Sequence, residues 1–269
     1  MSATTSPNHN VERFGKEGYC IVPNAVSNAD MDRYRESLDR MIKKQVAAGK
    51  RPERLVEPHV TSDDWRLWLD LCRHPGITDV VAAALGTDEL LMIMSHLIVK
   101  PPHDGMPVKW HQDNTYWPSV TGTDILTVWL ALDDVDEENG CMKVIPSSHS
   151  GYSQLEQHKT DGKDLLGVTV RVPDEMEASA VPCVLKAGDF SIHDSYIIHG
   201  SDPNTSPRRR AGHTIRIADA KTVRVDLTKH RRPVYYIHGD GTSMRDGYRD
   251  ISGNKPLPSE PGTYTPSGG

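Results

Sequence analysis

His111 and Asp113 stand two residues apart in the stretch KWHQDNTYWP, residues 109–118. On a strand, residues i and i+2 share a face, so this imidazole and carboxylate supply half of a metal site. Two histidines and one carboxylate on one side of a non-haem iron(II) leave its remaining positions open. The third ligand must come from a facing strand well downstream. The segment GDFSIHDSYIIHGSDPNTSPRRRAGHTIRI offers His193, His199 and His213. His199 closes the apolar run YII and opens a turn, which places it at a strand end facing a cavity. His193 reads as a neighbour supporting the site, and His213 as structural. His238-Gly239-Asp240 is a second His-x-Asp and serves as an internal control. No His follows it, so no downstream ligand can complete it.

Arg210 opens the strand RAGHTIRI, eleven residues after His199. Arg grips a carboxylate through two parallel hydrogen bonds, which Lys cannot do. Strand alternation puts Arg208 on the same face as Arg210, and the spacing from His199 favours Arg210. A two-His, one-Asp site beside an Arg suits a 2-oxo acid. The oxo group and one carboxylate oxygen chelate the metal, and the far carboxylate meets the Arg.

The elements that hold these residues are legible in outline. Ser27 caps a helix in which Met31, Tyr34, Leu38, Met41 and Ile42 recur at helical spacing, and Gly49 stops it. Shorter helices are expected near residues 64–72 and 76–85, the second ending at Gly86. Residues 1–10 read as disordered and 11–88 as a helical buttress with no chemistry of its own. Residues 89–220 are short β-rich runs separated by Gly, Pro, Asn and Asp turns, as in a sandwich or barrel. Residues 221–269 form a C-terminal extension ending in a Pro-, Gly- and Ser-rich tail. The whole chain, 1–269, is expected to be one domain.

Composition excludes several roles. A net charge of −6 with a pI near 6.1 argues against a nucleic-acid partner. No run of about 18 apolar residues is present, so no membrane span is expected. The start of the chain lacks the apolar region of a signal peptide. Cys20, Cys72, Cys141 and Cys183 lie far apart with no C-x-x-C, as reduced thiols of a cytoplasmic protein do. A small-molecule substrate and a monomer or homodimer are expected.

Taken together, the motifs resemble the phytanoyl-CoA dioxygenase family over roughly residues 11–217. The resemblance is carried by FGKEGYCIVPNAVSNADMDRYRESLDR, HLIVKPPHDGMPVKWHQDNTYWP, DILTVWLALDDVDEENGCMKVIPSSH and KAGDFSIHDSYIIHGSDPNTSPRRRA, in that order. It implies iron(II)- and 2-oxoglutarate-dependent oxygenation by O2, on a mainly β chain with N-terminal helices. The implied fold is a double-stranded β-helix, a jelly-roll or cupin-like barrel. By resemblance His111, Asp113 and His199 are the iron ligands and catalytic centre, and Arg210 is the 2-oxoglutarate anchor. Trp129, Thr127 and Ser201 resemble further co-substrate contacts.

Hydroxylation or desaturation of a small molecule is therefore expected, with release of succinate and CO2. Asp113 keeps the carboxylate that related halogenases replace with a small residue, so halogenation is not expected. Asn114, Tyr116, Trp117 and His103 are candidates for the substrate pocket. Arg73, His74, His103 and Lys109 are available for an anionic substrate group, although the acidic net charge leans away from CoA esters. A zinc hydrolase or lyase, or a non-catalytic binding module on the same barrel, are the alternatives. The intact triad and Arg210 count against both.

Overall fold

A computed structural model describes residues 7–263 as two facing sheets with helices packed on one of them. Twelve strands make the sheets: β1 (Tyr19–Val22), β2 (Arg54–Val56), β3 (Leu90–Lys100), β4 (Val108–His111), β5 (Ile125–Ala131), β6 (Met142–Val144), β7 (Val181–Pro182), β8 (Phe190–Asp194), β9 (His199–Ser201), β10 (Arg210–Asp219), β11 (Tyr235–His238) and β12 (Arg249–Asp250). The major sheet runs β1-β8-β5-β10-β3-β11-β12, with β2 also paired to β3. The minor sheet runs β7-β6-β9-β4. This is a double-stranded β-helix, and the described strands divide into two sheets instead of closing into the expected barrel.

The helices are α1 (Pro7–Glu17), α2 (Asn28–Ala47), α3 (Pro58–Thr61), α4 (Trp65–Cys72) and α5 (Pro75–Leu85). Their apolar faces cover the outside of the major sheet. Met31, Tyr34, Leu38, Trp68 and Ile77 form one buried cluster with Leu126, Val128 and Leu130 of β5. The alternate residues of β5, Thr127 and Trp129, point the other way, into a cavity between the sheets. Ser27 caps α2 by accepting from the Asp30 amide at 3.3 Å, and Gly86 ends α5 at φ 66°. Both ends fall where sequence places them.

Trp68 is fully buried, stacks near Tyr34 and His213, and donates its indole N–H to Ser37 Oγ at 3.0 Å. Trp68→Ala should cost about 3–5 kcal/mol, the usual range for emptying an aromatic site. Urea unfolding with an unchanged m-value checks it; a loss below about 1 kcal/mol would mean the helices do not brace the sheet.

Several boundaries differ from expectation. Residues 7–10 begin α1, where a proline is tolerated in the first helical turn; residues 1–6 lie outside those described. Within the buttress, the sequence RLV forms β2, too short to show a period. Residues 221–263 are not simply appended, and the rest of the expected tail, 264–269, lies outside the described residues. Tyr235–His238 extends the major sheet antiparallel to β3, and Arg73 Nη1 donates to the carbonyls of Ile251 and Lys255 at 2.8 and 2.6 Å. One irregularity matters for the cavity. Arg216 opposes Met94 while Ile217 opposes Met92, so Ile93 is an extra residue and β3 bulges. Beyond the bulge, Met94, His96 and Ile98 face the cavity.

Candidate metal centre and co-substrate pocket

β4 ends at His111, and Asp113 opens the 3-10 turn Asp113–Tyr116. The pair is therefore split between a strand end and a turn, not carried on one strand face. Gln112 pins this junction. It is buried, donates from Nε2 to the Ser153 and Tyr196 carbonyls at 3.0 and 2.7 Å, and accepts from the Leu155 amide at 2.8 Å. The middle residue of the motif is structural, a role that sequence alone did not reveal.

His199 is the first residue of β9 and the cross-strand partner of His111. Their ring centroids lie 4.1 Å apart. Ligand atoms of His111, Asp113 and His199 all lie within 4.8 Å of one another. Each histidine directs Nδ1 at a backbone carbonyl, Lys109 O at 2.9 Å and Ile197 O at 3.1 Å. A carbonyl can only accept, so Nδ1 carries the proton and the Nε2 lone pair is left for a metal. Burial pushes the His111 imidazole down to about 3 and His199 to about 4, which keeps both neutral. Burial alone would raise the Asp113 pKa; Arg216, then His193 and His199, outweigh it and hold it well below the usual carboxylate range. Two neutral imidazoles and one carboxylate fit iron(II).

His193 is buried nearby, with its Nε2 3.6 Å from Asp113 Oδ2 and its ring 4.4 Å from His199. That distance is too long for a hydrogen bond. In the second motif Asp240 is exposed and accepts from Thr242. His213 turns outward onto Trp68 at 5.2 Å.

Arg210 opens β10 with only 2% exposure and places its guanidinium 4.6 Å above the Trp129 ring. Its Nε and Nη1 have no protein partner. Burial lowers its pKa to about 10, so it remains charged at neutral pH. A buried, charged fork with empty donor positions calls for an anion. Ser201 and Met142 line the same cavity, whose volume is about 270 Å³. Arg208 lies before the strand begins and pairs with Asp136 at 2.7 Å; Arg209 pairs with Asp133 and Asp39. Alternation does not extend to Arg208 because the strand starts at Arg210.

The other candidates divide. Tyr116 and Trp117 line the cavity. Asn114 sits in the 3-10 turn but is not part of the lining. His103 is exposed at φ 59° and bonds the Thr205 carbonyl, away from the cavity. Lys109 is likewise outside it. Thr127 lines the cavity, but its hydroxyl is committed, donating to Asp113 Oδ2 at 2.6 Å. Thr127→Val keeps the shape and removes this donor. Iron affinity should fall about 10–100-fold, as it does when a ligand loses its supporting partner, with 2-oxoglutarate affinity of the iron-saturated protein unchanged. A fall in the latter instead would return Thr127 to the co-substrate.

Among the charged residues of the lining, sequence reasoning missed three arginines. Arg216 follows Arg210 by an even number of positions on β10, and alternation could have found it. Arg54 lies on β2 and Arg232 before β11.

The phytanoyl-CoA dioxygenase (PhyH) family profile matches residues 14–212. Peroxisomal phytanoyl-CoA dioxygenase of Bos taurus is 26% identical over 88% of this chain and 72% of its own. L-proline trans-4-hydroxylase of Streptomyces griseoviridis is 26% identical over 74% of this chain and 81% of its own. Among solved structures, the non-heme monooxygenase ThoJ without metal superposes with a TM-score of 0.72 at 24% identity, covering 93% of this chain and 89% of its own.

Proposed function

Because this chain belongs to the phytanoyl-CoA dioxygenase family, and so is an iron(II)- and 2-oxoglutarate-dependent dioxygenase, we propose that it hydroxylates a small molecule at the site built by His111, Asp113, His199 and Arg210. The observation that carries this is the pairing of a three-ligand cluster with a buried guanidinium whose Nε and Nη1 are unpartnered in one cavity.

When bound, iron and 2-oxoglutarate supply the oxidising chemistry, consuming O2 and yielding succinate, CO2 and an oxygenated product. The chain's own residues position and shield. His111 and His199 present Nε2, and Asp113 brings the negative charge. Arg210 holds the far carboxylate of the co-substrate, and Trp129 fixes the plane of the guanidinium. Tyr116 and Trp117 give the substrate an aromatic wall beside the ligands. The described helices include none long and apolar enough to cross a membrane, and the four free, buried thiols support a cytoplasmic location.

The test is a substrate screen on the purified, iron-loaded protein, following succinate. Succinate formation that rises with one added compound supports hydroxylation. A substrate turned over without O2 or 2-oxoglutarate points to the hydrolase or lyase alternative, and no turnover of any kind to a binding module.

A further inference from the structure

Ile93 is the extra residue of the β3 bulge, and none of the strand's registers gives it a cross-strand partner. A bulge leaves such a residue outside the ladder, and a buried backbone carbonyl there needs a donor from elsewhere. His230 supplies it. Its Nε2 lies 3.3 Å from the Ile93 carbonyl, and its Nδ1 lies 2.9 Å from Ser119 Oγ. The carbonyl can only accept, so Nε2 carries the proton and Nδ1 accepts from the Ser119 hydroxyl. The imidazole is buried, and burial lowers its pKa to about 4, which keeps it in this neutral form at neutral pH.

These two bonds join separate parts of one wall. Met94 follows Ile93 on β3, and Trp117 stands two residues before Ser119; both side chains line the cavity. Met92 packs on the helix side with Leu38 and Trp68, and without the extra residue Met94 would share that face. Ser119 is held a second time: its carbonyl accepts from the Asp226 amide at 2.8 Å, and Val120–Thr121 pairs antiparallel with Arg224–Val225. The His230 amide donates to the Asp226 carbonyl at 2.8 Å, so residues 226–230 form one turn that presents the ring. Trp117 itself packs in a cluster with Val223, Val225, Val234, Tyr236 and Tyr248. His230 and these five residues lie past residues 14–212, which match the family profile and hold the metal ligands and Arg210.

We propose that His230 is a positioning residue: through Ile93 and Ser119 it fixes Met94 and Trp117 relative to the iron ligands, and so sets the shape of the substrate's part of the cavity. This rests on the dioxygenase reading, which gives that wall to the substrate. His230 is not itself part of the lining. His111, His199 and Asp113 have hydrogen-bond partners elsewhere, at Lys109, Ile197 and Thr127. The bridge therefore tunes which molecule fits without loosening the metal or the co-substrate.

The test uses the full chain with its five tryptophans fluorinated, with and without iron(II), under argon. Trp117→Phe and Trp129→Phe assign the two cavity lines in the fluorine NMR spectrum. Iron(II) displaces each line by an amount that falls steeply with distance, so the displacement reads where the ring stands relative to the metal. In wild type both lines should be single and displaced. Ser119→Ala removes the hydroxyl that His230 accepts from. His230→Gln keeps a donor for the Ile93 carbonyl and loses the ring acceptor. In both variants the iron-induced displacement of Trp117 should change, or its line split. The Trp129 line and the 2-oxoglutarate affinity, read from the charge-transfer band, should stay as in wild type. A His230 that only stabilises the fold would lower the melting temperature and leave the Trp117 displacement where it was; that result overturns the proposal. Equal movement of the Trp129 line overturns it as well, since the loosening would then be general. If iron(II) displaces neither line in wild type, the metal site itself is refuted, and this inference with it.

Discussion

Asp113→Ala is expected to leave a chain that holds no iron and turns over nothing. Asp113 is the anionic member of the ligand set and lies 3.8 and 3.9 Å from the Nε2 atoms of His111 and His199. Removing it takes away a bond to the metal and the charge that balances it. Two neutral imidazoles would then face iron(II) with the Arg216 guanidinium close by and its repulsion unopposed. The loss should exceed the roughly 10–100-fold that follows removal of an outer partner. His111→Ala and His199→Ala should behave alike. His193→Gln should keep most of the iron, because His193 stands beside the cluster without joining it, and His238→Ala should hold iron affinity within a few-fold. Metal analysis after desalting, with anaerobic titration of iron(II), decides. If His238→Ala strips the metal, or His193→Gln does so as fully as Asp113→Ala, the ligand assignment is wrong.

The contrast between the two His-x-Asp motifs shows what the sequence could and could not convey. The triad was legible because ligand chemistry demands particular residue types, and only one motif had a histidine downstream to complete it. Arg210 was legible through its place at the start of a β-run. Helices α2, α4 and α5 were legible because their apolar faces repeat against the major sheet, whereas α1 and the single-turn α3 were not foreseen. What escaped depends on tertiary placement. Arg54 sits on a three-residue strand, too short for any period to register. Arg232 lies in a region that matched no motif, and only the pairing of β11 with β3 brings it to the cavity. The bulge at Ile93 shifts alternation on β3, so inward positions past it cannot be counted from the strand's start. His103 looked available from type alone, yet its left-handed turn aims it at a carbonyl. Thr127 faced the right way, but its hydroxyl was already taken by Asp113. The total charge also says nothing of the local lining, in which Asp113 stands among four arginines.

Arg210→Ala is expected to weaken 2-oxoglutarate by about tenfold to several hundredfold while leaving iron affinity nearly unchanged. Hydrogen bonds to a charged group are worth about 1.5–3 kcal/mol, and each 1.4 kcal/mol is a factor of ten. The loss goes further than the bonds, because the far carboxylate would remain buried with no counter-charge. Arg208→Ala and Arg209→Ala remove charges that are already paired on the surface, with Asp136 and Glu138 or with Asp133 and Asp39. Both should bind 2-oxoglutarate normally. Gly212 supplies an independent route to the same outcome. A Cβ built there would stand 2.2 Å from Trp129 Cζ2, far inside contact distance, and the indole cannot yield without moving the surface on which Arg210 rests. Gly212→Ala should therefore lower 2-oxoglutarate affinity with every donor and ligand still present, and with iron binding retained. Anaerobic titration of 2-oxoglutarate into the iron-loaded variants, followed by the charge-transfer band, separates these cases. Normal affinity in Arg210→Ala, with a large loss in Arg208→Ala, would move the anchor to the wrong side of the strand start and refute the pocket as described.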